Sequence, residues 1–64
     1  MNPATMALVS TALPFVSQGR IGFSFGVSER LIVLLVNNVE FARLKALSDE
    51  EFECCRMLLE HRRP

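Results

Sequence analysis

The residues of this 64-residue chain that suggest catalysis or metal binding lie near its C-terminal end. A group of four acids precedes the only histidine, His61; the acids are Asp49, Glu50, Glu51 and Glu53. Neither the His-Glu-x-x-His nor the Cys-x-x-Cys spacing of metal sites is present. Acids in the first turn of a helix and cations in its last turn both stabilise the helix dipole. We therefore expect a solvated helix face here, with no catalytic, metal or cofactor site.

The two cysteines, Cys54 and Cys55, are adjacent in the sequence. Neighbouring side chains on a helix point about 100° apart, so a disulfide between them would require a distorted backbone. The pattern therefore excludes a secreted disulfide scaffold and favours a reducing, cytoplasmic location. We expect Cys55 to be a small core residue beside Phe52 and Leu59, and Cys54 to be partly exposed at the edge of this face, without a redox or catalytic role.

The glycines do not have the spacing of a phosphate-binding loop, but they belong to an alternating segment at 20–27. Apolar residues occupy every second position of this segment, with only Gly or Ser between them. A period of two predicts an extended strand. Its rings, Phe23 and Phe25, are either anchors for a binding partner or part of the chain's own core.

The segment 29–47 is consistent with two structures. Its apolar residues follow a helical period, with an apolar face that is only partly continuous, and Ser28 followed by Glu29 is a typical helix start. The six consecutive aliphatic residues 31–36 also fit a buried strand, with a helix beginning after the two asparagines. The longer helix is our prediction.

The clearest helix start is at Ser48, which is followed by Glu51 three residues later, as in a capping box. The sequence predicts a helix over 49–62, with its apolar face at Phe52, Cys55, Leu58 and Leu59. Paired with 29–47, this helix gives a mainly α fold: a small helical domain with an antiparallel helix pair. The alternative is an α+β fold with a hairpin at 20–36.

Residues 1–19 contain no charged side chain. Asn2 and Pro3 favour the start of a short helix, which we expect to stop before Pro14. The apolar stretch is shorter than the ~20 residues that span a bilayer, and no cation precedes it as in a signal peptide. We expect this arm to pack against the fold or another subunit. The alternative is a membrane-associated small subunit anchored by residues 4–16.

The formal net charge is zero, which argues against nucleic-acid binding driven by bulk electrostatics. A small DNA-binding or transcription regulator remains an alternative; its phosphate contacts would be Arg43, Lys45, Arg56, Arg62 and Arg63. Half of the residues are hydrophobic, and we expect a single domain over 1–64 with neither disulfide nor metal to stabilise it. A domain this small cannot bury all of its apolar surface, so we expect homo-oligomerisation or docking on a larger protein.

These observations predict a small, non-enzymatic, cytoplasmic protein that acts by binding a larger protein. Inhibitors, adaptors and assembly factors, including accessory proteins of the phage type, act in this way. Membrane association is not favoured, and no cofactor is expected. The residues that we expect to contact the partner are Phe23, Phe25, Leu31, Leu34 and Phe41.

Overall fold

The computed structural model of the chain describes residues 3–64 and shows an α+β fold. Its elements are α1 (Pro3–Ser17), β1 (Gly22–Gly26), β2 (Leu31–Val36), β3 (Val39–Lys45) and α2 (Asp49–His61). The strands form one antiparallel sheet in the order β1-β2-β3, and both helices pack on one of its faces. The predicted mainly α fold is therefore wrong. The hairpin at 20–36, our alternative, corresponds to the β1–β2 pair.

The segment 29–47 is not a helix because a two-residue turn interrupts it. Asn37 and Asn38 both have positive φ, 53° and 64°, between the paired residues Val36 and Val39. Two left-handed residues in a two-residue loop form the type I′ turn of a tight hairpin. Asparagine is one of the few residues other than glycine that tolerate this conformation. The aliphatic run before the turn consequently becomes the central strand.

The core lies between the sheet and the helices. Ile32 and Leu34 point from β2 toward the helices and are fully buried. They belong to one cluster with residues of α1 and α2, among which Val9, Val16, Cys55 and Leu59 are the most buried. The alternation of β2 sends Leu31, Val33 and Leu35 to the other face, where Val33 is buried outside the main core cluster and Leu31 and Leu35 are half-buried.

Helix α1 continues past Pro14, against our prediction that it stops before this residue. A proline in a helix leaves the carbonyl four residues earlier without its partner, but here that residue, Ser10, is exposed to solvent. The helix ends at Ser17, and Gly19, two residues further on, has φ 73°. The amides of Gly19 and Arg20 donate to the carbonyls of Val16 and Phe15, as in a Schellman motif. The predicted Asn2 cap lies outside the described residues.

Helix α2 begins as predicted. The hydroxyl of Ser48 accepts a hydrogen bond of 3.1 Å from the amide of Glu51. The carboxylate of Glu51 accepts from the amide of Leu47 at 2.8 Å, one residue before the cap. Glu51 is only 1% exposed, so the predicted solvated acidic face is wrong for this residue. It is a buried part of the connection between β3 and α2.

Substitution of the cap is expected to weaken the fold by a defined amount. Ser48→Ala removes the acceptor of the Glu51 amide, and we expect it to lower the free energy of unfolding by about 1 kcal/mol. Ser28→Ala is the control, because Ser28 is an exposed serine in the β1–β2 turn. Urea denaturation measures both variants. Equal stability of the two would contradict the assigned cap.

Substitution of Glu51 provides a second test, which distinguishes the role of its carboxylate oxygen as a hydrogen-bond acceptor from the role of its charge. Glu51→Ala leaves the Leu47 amide without its acceptor, and we expect a loss of roughly 1–3 kcal/mol in unfolding free energy. Glu51→Gln keeps an oxygen acceptor and is expected to lose less. If both variants lost the same stability in urea denaturation, the hydrogen bond to Leu47 would not be the important contact.

Candidate protein-binding edge

The hydrogen-bonding pattern of the sheet shows which backbone groups of β1 are free. The amide of Ala46 donates to the carbonyl of Arg30 at 2.9 Å, so the even-numbered residues of β2 bond to β3. Its odd-numbered residues, such as Val33, therefore bond to β1, where Val33 pairs with Ser24. The amides and carbonyls of Phe23 and Phe25 consequently point outward from the sheet.

The side chains of Phe23 and Phe25 lie on the helix side of the sheet and are half-buried. Their ring centroids are 5.4 Å apart, and Phe25 meets Phe52 of α2 edge-on at 5.8 Å. The guanidinium of Arg63 lies 4.5 Å from the centroid of the Phe23 ring. The two rings thus form the rim of the core along β1, with part of each ring exposed.

The other edge of the sheet, β3, is protected against strand pairing. Phe41 is an extra residue at a β-bulge, because Leu34 pairs with Ala42 and Leu35 with Glu40. The strand carries Glu40 and Arg43, which form an ion pair of 2.9 Å, and also Lys45. The hydroxyl of Thr5 in α1 donates to the Lys45 carbonyl at 3.4 Å.

Bulges and charged side chains are the usual means by which proteins block pairing at an edge strand. Strand β1 has neither: its register with β2 is regular, and no residue of Gly22–Gly26 is charged. The two edges of the sheet therefore differ, and β1 is the one open to a further strand.

The five predicted partner-binding residues do not form one surface. Phe23, Phe25 and Leu34 lie on the helix side, and Leu34 is fully buried, out of reach of a partner in the folded chain. Leu31 and Phe41 lie toward the opposite face, where Leu31 is half-buried and Phe41 is 50% exposed. The sequence analysis missed Ser24, the exposed centre of the open edge. The absence of charged residues from the segment 22–26 was the signal that could have pointed to an unprotected edge strand.

A cleft of about 690 Å³ lies at one end of the sheet, and Arg20 and Arg63 both line it. Arg20 lies 5.7 Å from the centroid of Phe15, and Arg63 stacks on Phe23 as described. Both helices end near this cleft, and helix C-termini carry partial negative charge. The two cations lie near helix ends of opposite partial charge and against aromatic rings, which accounts for their position without a bound anion.

The two cysteines occupy different environments. Cys55 is fully buried, with its Sγ 3.4 Å from the Sδ of Met6, which confirms its predicted place in the core. Burial raises the pKa of the Cys55 thiol to about 11, with further contributions from Cys54 and Glu51. Cys54 is exposed. Since the thiolate is the reactive form, we expect Cys55 to be unreactive at neutral pH in the folded chain.

Alkylation with iodoacetamide tests this difference. At pH 8 we expect the folded protein to take up one label, at Cys54, and a second label at Cys55 only after unfolding in urea. Peptide mass spectrometry locates the labels, and Cys54→Ser provides a control that should remain unlabelled until it unfolds. Rapid labelling of Cys55 in the folded chain would contradict its burial.

Comparison of this chain with protein-family models, with curated proteins and with solved structures finds no match. Within residues 3–64, no helix combines the length and the apolar character needed to cross a bilayer. Over the same residues, no three potential metal-ligating side chains (His, Cys, Asp or Glu) form a group that could hold an ion.

Proposed function

We propose that this chain is a non-enzymatic protein-binding module that pairs its β1 edge with an extended strand of its partner. The observation that carries the proposal is the difference between the two edges of the sheet. The outward amides and carbonyls of Phe23 and Phe25 are suited to strand addition, in which backbone hydrogen bonds supply affinity and side chains supply specificity. An inhibitor, an adaptor or an assembly factor can use this mode of binding.

We expect the phenylalanine side chains to contribute to the free energy of binding in addition to the backbone hydrogen bonds. Two amides and two carbonyls form four hydrogen bonds, worth roughly 2–6 kcal/mol in total at ~0.5–1.5 kcal/mol each. Association costs about 4–15 kcal/mol in lost translational and rotational freedom. Over most of this range the backbone hydrogen bonds alone do not offset the cost, so we expect the exposed parts of the Phe23 and Phe25 rings to become buried against the partner as well.

The structure gives less support to the alternative functions. The apolar side of α1, including Val9 and Val16, is used in the core, which leaves less apolar surface for a membrane anchor. Arg43 pairs with Glu40, and Arg56 pairs with Glu53 and Glu60, which locally neutralises two of the cations considered for phosphate contacts; the pairs are exposed and salt-dependent. A reducing compartment such as the cytoplasm suits the two free thiols.

A lysine on the open edge tests the proposal. Ser24→Lys introduces the kind of charge that blocks edge pairing, at an exposed position of the strand. Ser28→Lys, in the adjacent turn, is the matched control. The tagged chains are purified from the cells that produce the protein, together with the partner that they bind. We expect the wild type and Ser28→Lys to retain this partner. We expect Ser24→Lys to bind it about tenfold more weakly, a loss of ~1.4 kcal/mol in binding free energy. Equal recovery of the partner by both variants would contradict binding at β1.

A further inference from the structure

The open edge strand has a palindromic sequence. Strand β1 reads Gly22-Phe23-Ser24-Phe25-Gly26, the same in both directions. In a two-fold symmetric antiparallel pair centred on Ser24, every residue of β1 therefore lies opposite a residue of its own type. Such an interface is isologous, which is the commonest arrangement in soluble oligomers.

We propose that the strand which pairs with β1 is β1 of a second copy of this chain, with Ser24 on the two-fold axis. The two sheets then form one continuous sheet of six strands, with the protected β3 strands at its outer edges. This inference rests on the proposed function, because it names the partner of the same edge.

The backbone groups fit this register. Phe23 of one copy lies opposite Phe25 of the other, and these are the residues whose amides and carbonyls point outward. Each such pair exchanges two hydrogen bonds, so the two pairs form four. Ser24 then lies opposite Ser24 of the second copy as a non-hydrogen-bonded pair, with Cα atoms about 4.5 Å apart.

Neighbouring registers are disfavoured because they require groups that are already engaged. A shift by one residue places outward-pointing groups opposite inward-pointing ones, which breaks the pattern of bonds. A shift by two residues brings in either Ile21 or Val27. The amide of Ile21 donates to the Phe15 carbonyl at 3.3 Å, and the carbonyl of Val27 accepts from the Arg30 amide at 3.2 Å.

The side chains are also compatible with a symmetric pair. On the helix side, Phe23 and Phe25 of the two copies form cross-strand aromatic pairs, which stabilise antiparallel sheets. On the other side, Gly22, Ser24 and Gly26 are small, and the two Ser24 hydroxyls can hydrogen-bond to each other. No charge on the strand opposes its symmetric equivalent, whereas a pair centred on Arg43 of β3 would set like charges together.

The position of the helices is compatible with this pairing. Paired strands lie about 4.8 Å apart, but packed helices need 8–10 Å between their axes. Helix α2 approaches β2 more closely than β1, so its axis lies inward from the open edge. The α2 helices of the two copies are then separated by more than the distance between the two β1 strands.

Disulfide trapping tests the position of the axis. In a Cys54→Ser background, which removes the exposed native thiol, Ser24→Cys places each new cysteine opposite its symmetric equivalent. The matched control is Ser28→Cys. In the proposed register, residue 28 of one copy lies opposite residue 20 of the other. Residue 28 of the other copy is therefore eight positions further along, roughly 26 Å away at ~3.3 Å per residue.

After mild oxidation at micromolar concentration, non-reducing electrophoresis should show mostly covalent dimer for Ser24→Cys and mostly monomer for Ser28→Cys. Equal trapping of the two variants would overturn the proposed axis.

A charge exchange provides an independent measurement. Ser24→Lys and Ser24→Glu each set two like charges together, and we expect each to weaken self-association about tenfold. An equimolar mixture places opposite charges on the axis and should restore association in sedimentation equilibrium. A wild-type chain that stays monomeric, or variants that dimerise as well as wild type, would overturn self-pairing. If the wild-type chain is monomeric but Ser24→Lys loses a partner that is another protein, self-pairing is wrong and strand addition at β1 is still supported.

Discussion

The turn formed by Asn37 and Asn38 determines how the aliphatic segment before it is used. Its two left-handed residues, with φ of 53° and 64°, force the chain to reverse after Val36, so that β3 returns along β2. Strand β2 thereby becomes the centre of the sheet, and its alternation turns Ile32 and Leu34 toward the helices. The burial of both helices depends on these two side chains and therefore on the turn.

The unequal edges follow from the same arrangement. Since β2 is in the centre, β1 and β3 are the edge strands, and their residues differ in how far they block pairing with a further strand. Strand β3 has a bulge at Phe41, charged side chains and the Thr5 hydroxyl on its terminal carbonyl. Strand β1 has only small residues and two half-buried phenylalanines. Under the proposed function, the backbone of β1 binds the partner strand and the side chains of Phe23 and Phe25 select it.

The sequence predicted those elements whose signals are local. The Ser48 cap, the core position of Cys55 and a strand within the segment 20–27 each depend on a few neighbouring residues. The structure confirms the first two, and of the predicted extended segment it confirms residues 22–26. The strand β2 was only our alternative, because an unbroken aliphatic run has no period that distinguishes a strand from a helix. Leu31 and Leu34, which we expected to contact the same partner, lie on opposite faces of this strand. The burial of Glu51 depends on the packing of the β3–α2 connection, to which no local pattern points.

The central claim, that β1 is an open edge whose outward groups belong to Phe23 and Phe25, is most directly tested by residue-resolved amide hydrogen exchange measured by NMR at several protein concentrations. In the dilute monomer, we expect the amide of Ser24 to be protected by its bond to β2 and the amides of Phe23 and Phe25 to exchange rapidly. In the associated state, at high concentration or with the partner bound, both phenylalanine amides should become protected. Protection of all three amides in the dilute monomer, or rapid exchange of Phe23 and Phe25 in the associated state, would contradict the account.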